Sequence, residues 1–131
     1  MPYLSFHVSA DTSQKQSDKV ASVLTELTAT VLGKKRELTA VEINATSRWY
    51  IGGKSLDNQE LVTFYLDIKV TEGTNTKNEK SHYVRQLFEA VTELFGPLAP
   101  ASYVVIHEVH ADTWGYEGRI QGNRYISGVS L

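Results

Sequence analysis

The sequence predicts an α+β fold (α/β in the broad sense): two βαβ units in tandem, forming one four-stranded mixed sheet with two helices on one face. Two segments with strand alternation, PYLSFHVS and FYLDIKVT, align with an offset of 62 residues. Each leads into a capped, amphipathic helical pattern. Each helix is followed by a second strand and an aromatic, glycine-rich turn.

In the first strand Leu4, Phe6 and Val8 alternate with Tyr3, Ser5 and His7; in its counterpart Leu66, Ile68 and Val70 alternate with Tyr65, Asp67 and Lys69. Period two with one apolar face marks a half-buried strand. Ser13 with Gln16, and Thr76 with Glu79, have the spacing of capping boxes. Val20, Val23, Leu24, Leu27 and Val31 then recur at helical spacing, as do Val84, Leu87, Phe88, Val91, Leu94 and Phe95. Gly33 closes the first helix and Gly96-Pro97 the second. The following strands are expected over 38–44 and 102–109. Trp49-Tyr50-Ile51-Gly52-Gly53 and Trp114-Gly115-Tyr116-Glu117-Gly118 form the turns, whose glycines supply positive φ.

A period near 63 residues implies a duplicated unit within a single domain, 1–131, with an internal repeat at 1–60 and 61–131. Right-handed crossovers make the two strands of each unit parallel. The helix-facing residues are then Leu4, Phe6, Val8, Val41, Ile43, Leu66, Ile68, Val70, Val104 and Ile106. The other face carries Tyr3, Ser5, His7, Ala40, Glu42, Asn44, Tyr65, Asp67, Lys69, Tyr103, Val105 and His107. That mixture of polar and aromatic groups suits a subunit interface or a ligand surface. Ferredoxin-like domains share this element order, so order alone gives no function.

The chain has 131 residues, 41% of them hydrophobic, and a net charge of −2. No global field recruits nucleic acid or a membrane surface. With no cysteine, disulfides, thiolate metal sites and a cysteine nucleophile are excluded. No apolar stretch reaches the ~18 residues of a membrane span, and no signal peptide is visible. A cytoplasmic setting is the expectation.

Two apparent motifs dissolve on inspection. GGKS at 52–55 resembles the end of a phosphate loop, but Arg48 stands where the first glycine is needed. HEVH at 107–110 lies in a strand, where residues an odd number apart point to opposite faces, so His107 and His110 do not share an ion. The only basic run, Lys34-Lys35-Arg36, reads by itself as a solvated surface beside a turn. Trp49 and Trp114, equivalently placed in the repeats, read as packing residues. Pro2 differs in kind. It begins a strand at once, which fixes its nitrogen on the sheet edge, and removal of Met1 would leave it a free secondary amine.

Two fused βαβ units starting Met-Pro at a strand resemble the tautomerase superfamily. Its members include 4-oxalocrotonate tautomerase, made of single units, and macrophage migration inhibitory factor, made of two. LGKKRELTAVEINATSRWYIGG is similar to the region after the first helix of the inhibitory-factor branch, and LAPASYVVIHEVHADTWGYEG to the equivalent region of 4-oxalocrotonate tautomerase. The resemblance implies a homotrimer with active sites at subunit boundaries and a catalytic Pro2. It implies Lys34 as the ligand of a substrate carboxylate, Tyr103 as an active-site tyrosine, and Trp114 as the aromatic that keeps the pocket apolar. Family arginines are missing at Thr12 and about Thr74, and over Glu72–Asn75; Val105 replaces an asparagine. The second repeat starts at Phe64, inside the chain, and so has no amine. Arg119 and Arg124 read first as a solvated tail, with supply of a missing positive charge as the alternative.

The implied activity is keto–enol tautomerisation of a small 2-oxo acid or aryl pyruvate, with Pro2 as general base and no cofactor or metal. The expected partners are that small carboxylate substrate and further copies of the chain, not nucleic acid or membrane. While Met1 remains attached, Pro2 nitrogen is an amide without basicity. The alternatives are a non-catalytic trimeric binding or signalling protein of the same fold, and a related hydratase, dehalogenase or decarboxylase of small unsaturated acids.

Overall fold

A computed structural model describes residues 2–56 and 60–122. Met1 and Arg124 lie outside them. In the first unit β1 (Tyr3–Val8) leads to α1 (Gln14–Val31), β2 (Ala40–Ala45) and a hairpin of β3 (Tyr50–Ile51) with β4 (Lys54–Ser55). The second unit repeats the order: β5 (Phe64–Thr71), α2 (Lys77–Phe95), β6 (Tyr103–Val109), and a hairpin of β7 (Gly115–Tyr116) with β8 (Arg119–Ile120).

The main sheet has the order β2-β1-β5-β6. β1 pairs parallel with β2, β5 pairs parallel with β6, and β1 and β5 are antiparallel at the centre. Both strands of each unit are therefore direct neighbours, which separates this fold from the split βαβ arrangement of ferredoxin-like domains. The second strands start later than expected. Leu38 belongs to a 3₁₀ turn, its N–H donating to Lys35 O at 3.2 Å. Ser102 is held in the preceding turn, its hydroxyl donating to Ala99 O at 2.8 Å.

The helix-facing residues form the expected core. Leu4, Phe6, Val8, Leu66, Ile68 and Val70 are buried, and Val41, Ile43, Val104 and Ile106 pack against them. From α1 come Val20 and Leu24, and from α2 Leu87 and Val91. Burying one such side chain stabilises the fold by about 1.5–3 kcal/mol. Alternation did not mark two further members of this layer, Thr28 and Tyr83. Thr28 donates to Leu24 O at 2.8 Å, so the 2.9 Å bond between the two hydroxyls has Tyr83 as donor. That pairing lets a phenol sit in an apolar layer; burial pushes its pKa up to about 12.

The helix starts differ. Thr76 and Glu79 close a complete capping box. Ser13 accepts from Gln16 N, but the Gln16 side chain does not return the bond. Its Nε2 donates instead to Leu94 O at 3.4 Å, so the first box is half formed and the side chain ties α1 to α2. The face away from the helices is a polar net. Glu42 accepts from Tyr3, Ser5 and Asn44, and Asp67 pairs with His107 at 3.1 Å and Lys69 at 3.5 Å.

Candidate functional site

Strand directions divide the sheet into two ends. The starts of β1 and β2 lie together with the finishes of β5 and β6; the other end gathers the reverse. Pro2 is buried at the first of these. β1 is an inner strand, so Pro2 sits at a strand terminus between two neighbours, not on the sheet's lateral edge. Its carbonyl accepts from Ala40 N at 3.3 Å, and continuing the β1–β5 register sets it beside Val70.

Lys34 reaches the same end from the other direction. Gly33, at φ 68°, ends α1 and turns the chain back toward β2. Lys34 Nζ then donates to Thr74 Oγ1 at 2.7 Å, and Thr74 Oγ1 donates to Thr71 O at 2.6 Å. Asn75 Nδ2 donates to Leu32 O at 2.9 Å, pinning the β5–α2 loop to the end of α1. Lys34 is thus half-buried, which corrects its reading as a solvated surface lysine; of that run, Arg36 fits the surface reading, paired with Glu26 at 2.6 Å. Burial lowers the Lys34 pKa, while the Glu79 and Glu108 carboxylates push it back up. Glu108 is itself held low by a hydrogen bond from Lys80, at 2.6 Å.

Trp114 follows β6 at this end and is half-buried. Its carbonyl accepts from Gln121 N at 2.9 Å, and the Gln121 side-chain oxygen accepts from the Thr71 hydroxyl. Gln121 is fully buried, and its Nε2 has no hydrogen-bond partner among the described residues. An orphaned buried donor costs about 1–3 kcal/mol, which makes this a stressed point in the fold. No motif announces Thr71, Thr74 or Gln121 in the sequence; they meet only because β5, its loop and the last hairpin converge.

Tyr103 lies at the opposite end. The register runs His7–Tyr65–Tyr103 across three strands. His7 is five residues past Pro2, and β6 is two strands over. At about 3.3 Å per residue and about 4.8 Å per strand, Pro2 and Tyr103 stand roughly 19 Å apart. Within one chain the structure therefore brings Pro2, Lys34 and Trp114 to one end of the sheet and leaves Tyr103 at the other. Tyr103 is 59% exposed and, with Trp49, Tyr50, Ile51, Tyr65 and Val105, lines a groove of about 580 Å³. The β3–β4 hairpin forms one wall. Its turn is Gly52-Gly53, both at positive φ (60° and 77°), so the GGKS stretch is a tight hairpin turn.

These ends belong to a known architecture. The family model for tautomerase enzymes matches residues 65–124, which is the second unit. A macrophage migration inhibitory factor-like protein from Entamoeba histolytica superimposes with a TM-score of 0.75 at 21% identity, over 91% of this chain and 97% of that one. The inhibitory-factor homologue from Prochlorococcus marinus gives 0.76 at 17% identity, over 92% and 99%. A wild-type fused 4-OT, R7, solved as an asymmetric trimer, gives 0.80 at 17% identity, over 92% and 97%. No curated protein matches the chain in sequence. The second unit thus matches the tautomerase family model, and the chain as a whole shares the fold of these two-unit proteins.

Proposed function

We propose that the protein is a tautomerase that uses Pro2, freed by removal of Met1, to move a proton on a small 2-oxo acid or aryl pyruvate. One observation supports this above the rest: a buried proline at the start of an inner strand shares its sheet end with a half-buried lysine. Scarce water disfavours a charged secondary amine, and a nearby cation acts in the same direction. Both effects bring the amine toward the neutral pH at which a general base works best.

In this reading neutral Pro2 takes a proton from the carbon beside the substrate carbonyl and returns it to the other end of the enol system. Lys34 holds the carboxylate as a point charge. Trp114 keeps water out, and a hydroxyl donor from Tyr103 meets the developing enolate oxygen. Because Tyr103 lies at the far end of its own sheet, that donor comes from a neighbouring copy, whose aromatic groove closes over the proline end. A homotrimer satisfies this, and the fused 4-OT relatives are trimers. No helix among the described residues is long and apolar enough to cross a membrane.

Intact mass of the protein from its own cells, measured beside turnover of phenylpyruvate and 2-hydroxymuconate, tests the reading. The expected result is a mass short by one methionine and a turnover abolished by Pro2→Ala. A retained or acylated N-terminus with no turnover would leave a non-catalytic trimer in its place. Turnover confined to hydration, dehalogenation or decarboxylation would move the chain to that branch.

A further inference from the structure

Thr74 occupies the stretch in which the resemblance leads one to expect an arginine, and it is the hydroxyl to which Lys34 is tied. The contact is part of a relay. Lys34 Nζ donates to Thr74 Oγ1 at 2.7 Å; Thr74 Oγ1 donates to Thr71 O at 2.6 Å; the Thr71 hydroxyl donates to the buried Gln121 carboxamide, whose backbone is held by Trp114. The relay runs from the ammonium through the end of β5 into the last hairpin. Each hydroxyl has one proton, and each has it committed to a carbonyl oxygen. Thr74 Oγ1 therefore offers the lysine a lone pair.

A lysine side chain is a flexible stem with a point charge, and holding it in one place costs rotamer entropy. Thr74 fixes one of its three N–H groups and leaves two for an incoming anion. From this we infer that Thr74 is a positioning residue: it sets the Lys34 ammonium at the proline end so that a substrate carboxylate meets a preset cation. Gln121 anchors the assembly by locking Thr71. Glu79 and Glu108 face the same ammonium, and Lys80 is engaged by Glu108. Without the threonine, these carboxylates are the competing partners toward which the ammonium swings.

The inference rests on the proposed function for its kinetic readout, but not for its spectroscopic one. In Thr74→Val, KM for phenylpyruvate rises by about 5- to 20-fold, the range of one hydrogen bond to a charged group, with kcat little changed. The methyl ester of phenylpyruvate, which has no carboxylate, keeps its KM. Thr74→Ser, which retains the hydroxyl, restores the wild-type value. Independently, ¹⁵N NMR of the Lys34 ammonium in Thr74→Val shows its exchange and titration displaced from wild type, with or without any turnover. Equal losses for acid and ester, failure of serine to rescue, or an unmoved Lys34 titration would overturn the assignment. If the wild type turns over none of these substrates, the enzymatic reading fails while the Lys34 titration still decides the role of Thr74.

Discussion

The two βαβ units share a fold and divide its duties. In the first, Pro2 directly precedes β1; in the second, the equivalent position is Phe64, within the chain. Phe64 is fully buried, 5.7 Å from the Phe6 ring and 5.0 Å from Phe88. One duplicated strand start is a candidate for chemistry and the other is core. The hairpins divide in the same way. The first turns on Gly52-Gly53 and walls an apolar groove. The second turns on Glu117-Gly118, also both at positive φ, and leads to a buried carboxamide at the proline end. Duplication supplies two similar ends; substitution at a few positions makes them unlike.

Phe64→Ala should strain that contrast most. It removes a ring packed between two others, and a loss of about 3–5 kcal/mol is expected in denaturant unfolding. Pro2→Ala should do the reverse: stability within about 1 kcal/mol of wild type, and turnover down on the order of 10²-fold or more. If Pro2→Ala unfolds the chain as Phe64→Ala does, the division of duties is wrong.

The helices give a smaller test. Tyr83→Phe removes the bond to Thr28 and should cost about 1 kcal/mol near neutral pH. Its pH dependence has a definite sign. Burial raises the Tyr83 pKa to about 12, so its contribution is intact below the ordinary tyrosine range and is lost as pH climbs from about 10 through about 12. Thermal melts over that range should show the wild type weakening faster than Tyr83→Phe.

The caps give the smallest effects. Thr76→Ala breaks a complete box and should cost about 1 kcal/mol; Ser13→Ala breaks half of one and should cost about 0.5 kcal/mol. Glu79 adds an acid limb to the first. The backbone N–H of Thr76 holds its pKa below the usual carboxylate range, so the cap is intact above that range and fails as pH falls through the lowered value. Melts of Glu79→Gln and wild type in acid should converge.

Most of the fold was legible because it is local. Alternation fixed which faces of β1 and β5 turn inward, and helical spacing chose Leu24, Leu87 and Val91. The polarity rule missed Thr28 and Tyr83, since each hides its hydroxyl in the other. It also read Lys34 as solvated, because the groups that cover and bind it are 40 residues away at Thr74.

The sequence by itself determined the tandem units, the inward faces, the hairpin turns and a proline at a strand start, since each depends on neighbours within a few residues. Tertiary structure decided where those pieces meet. The antiparallel pairing of β1 with β5 sets Pro2 and Lys34 at one end of the sheet and Tyr103 at the other. Strand direction is a property of the assembled sheet, and no short stretch of the chain encodes it.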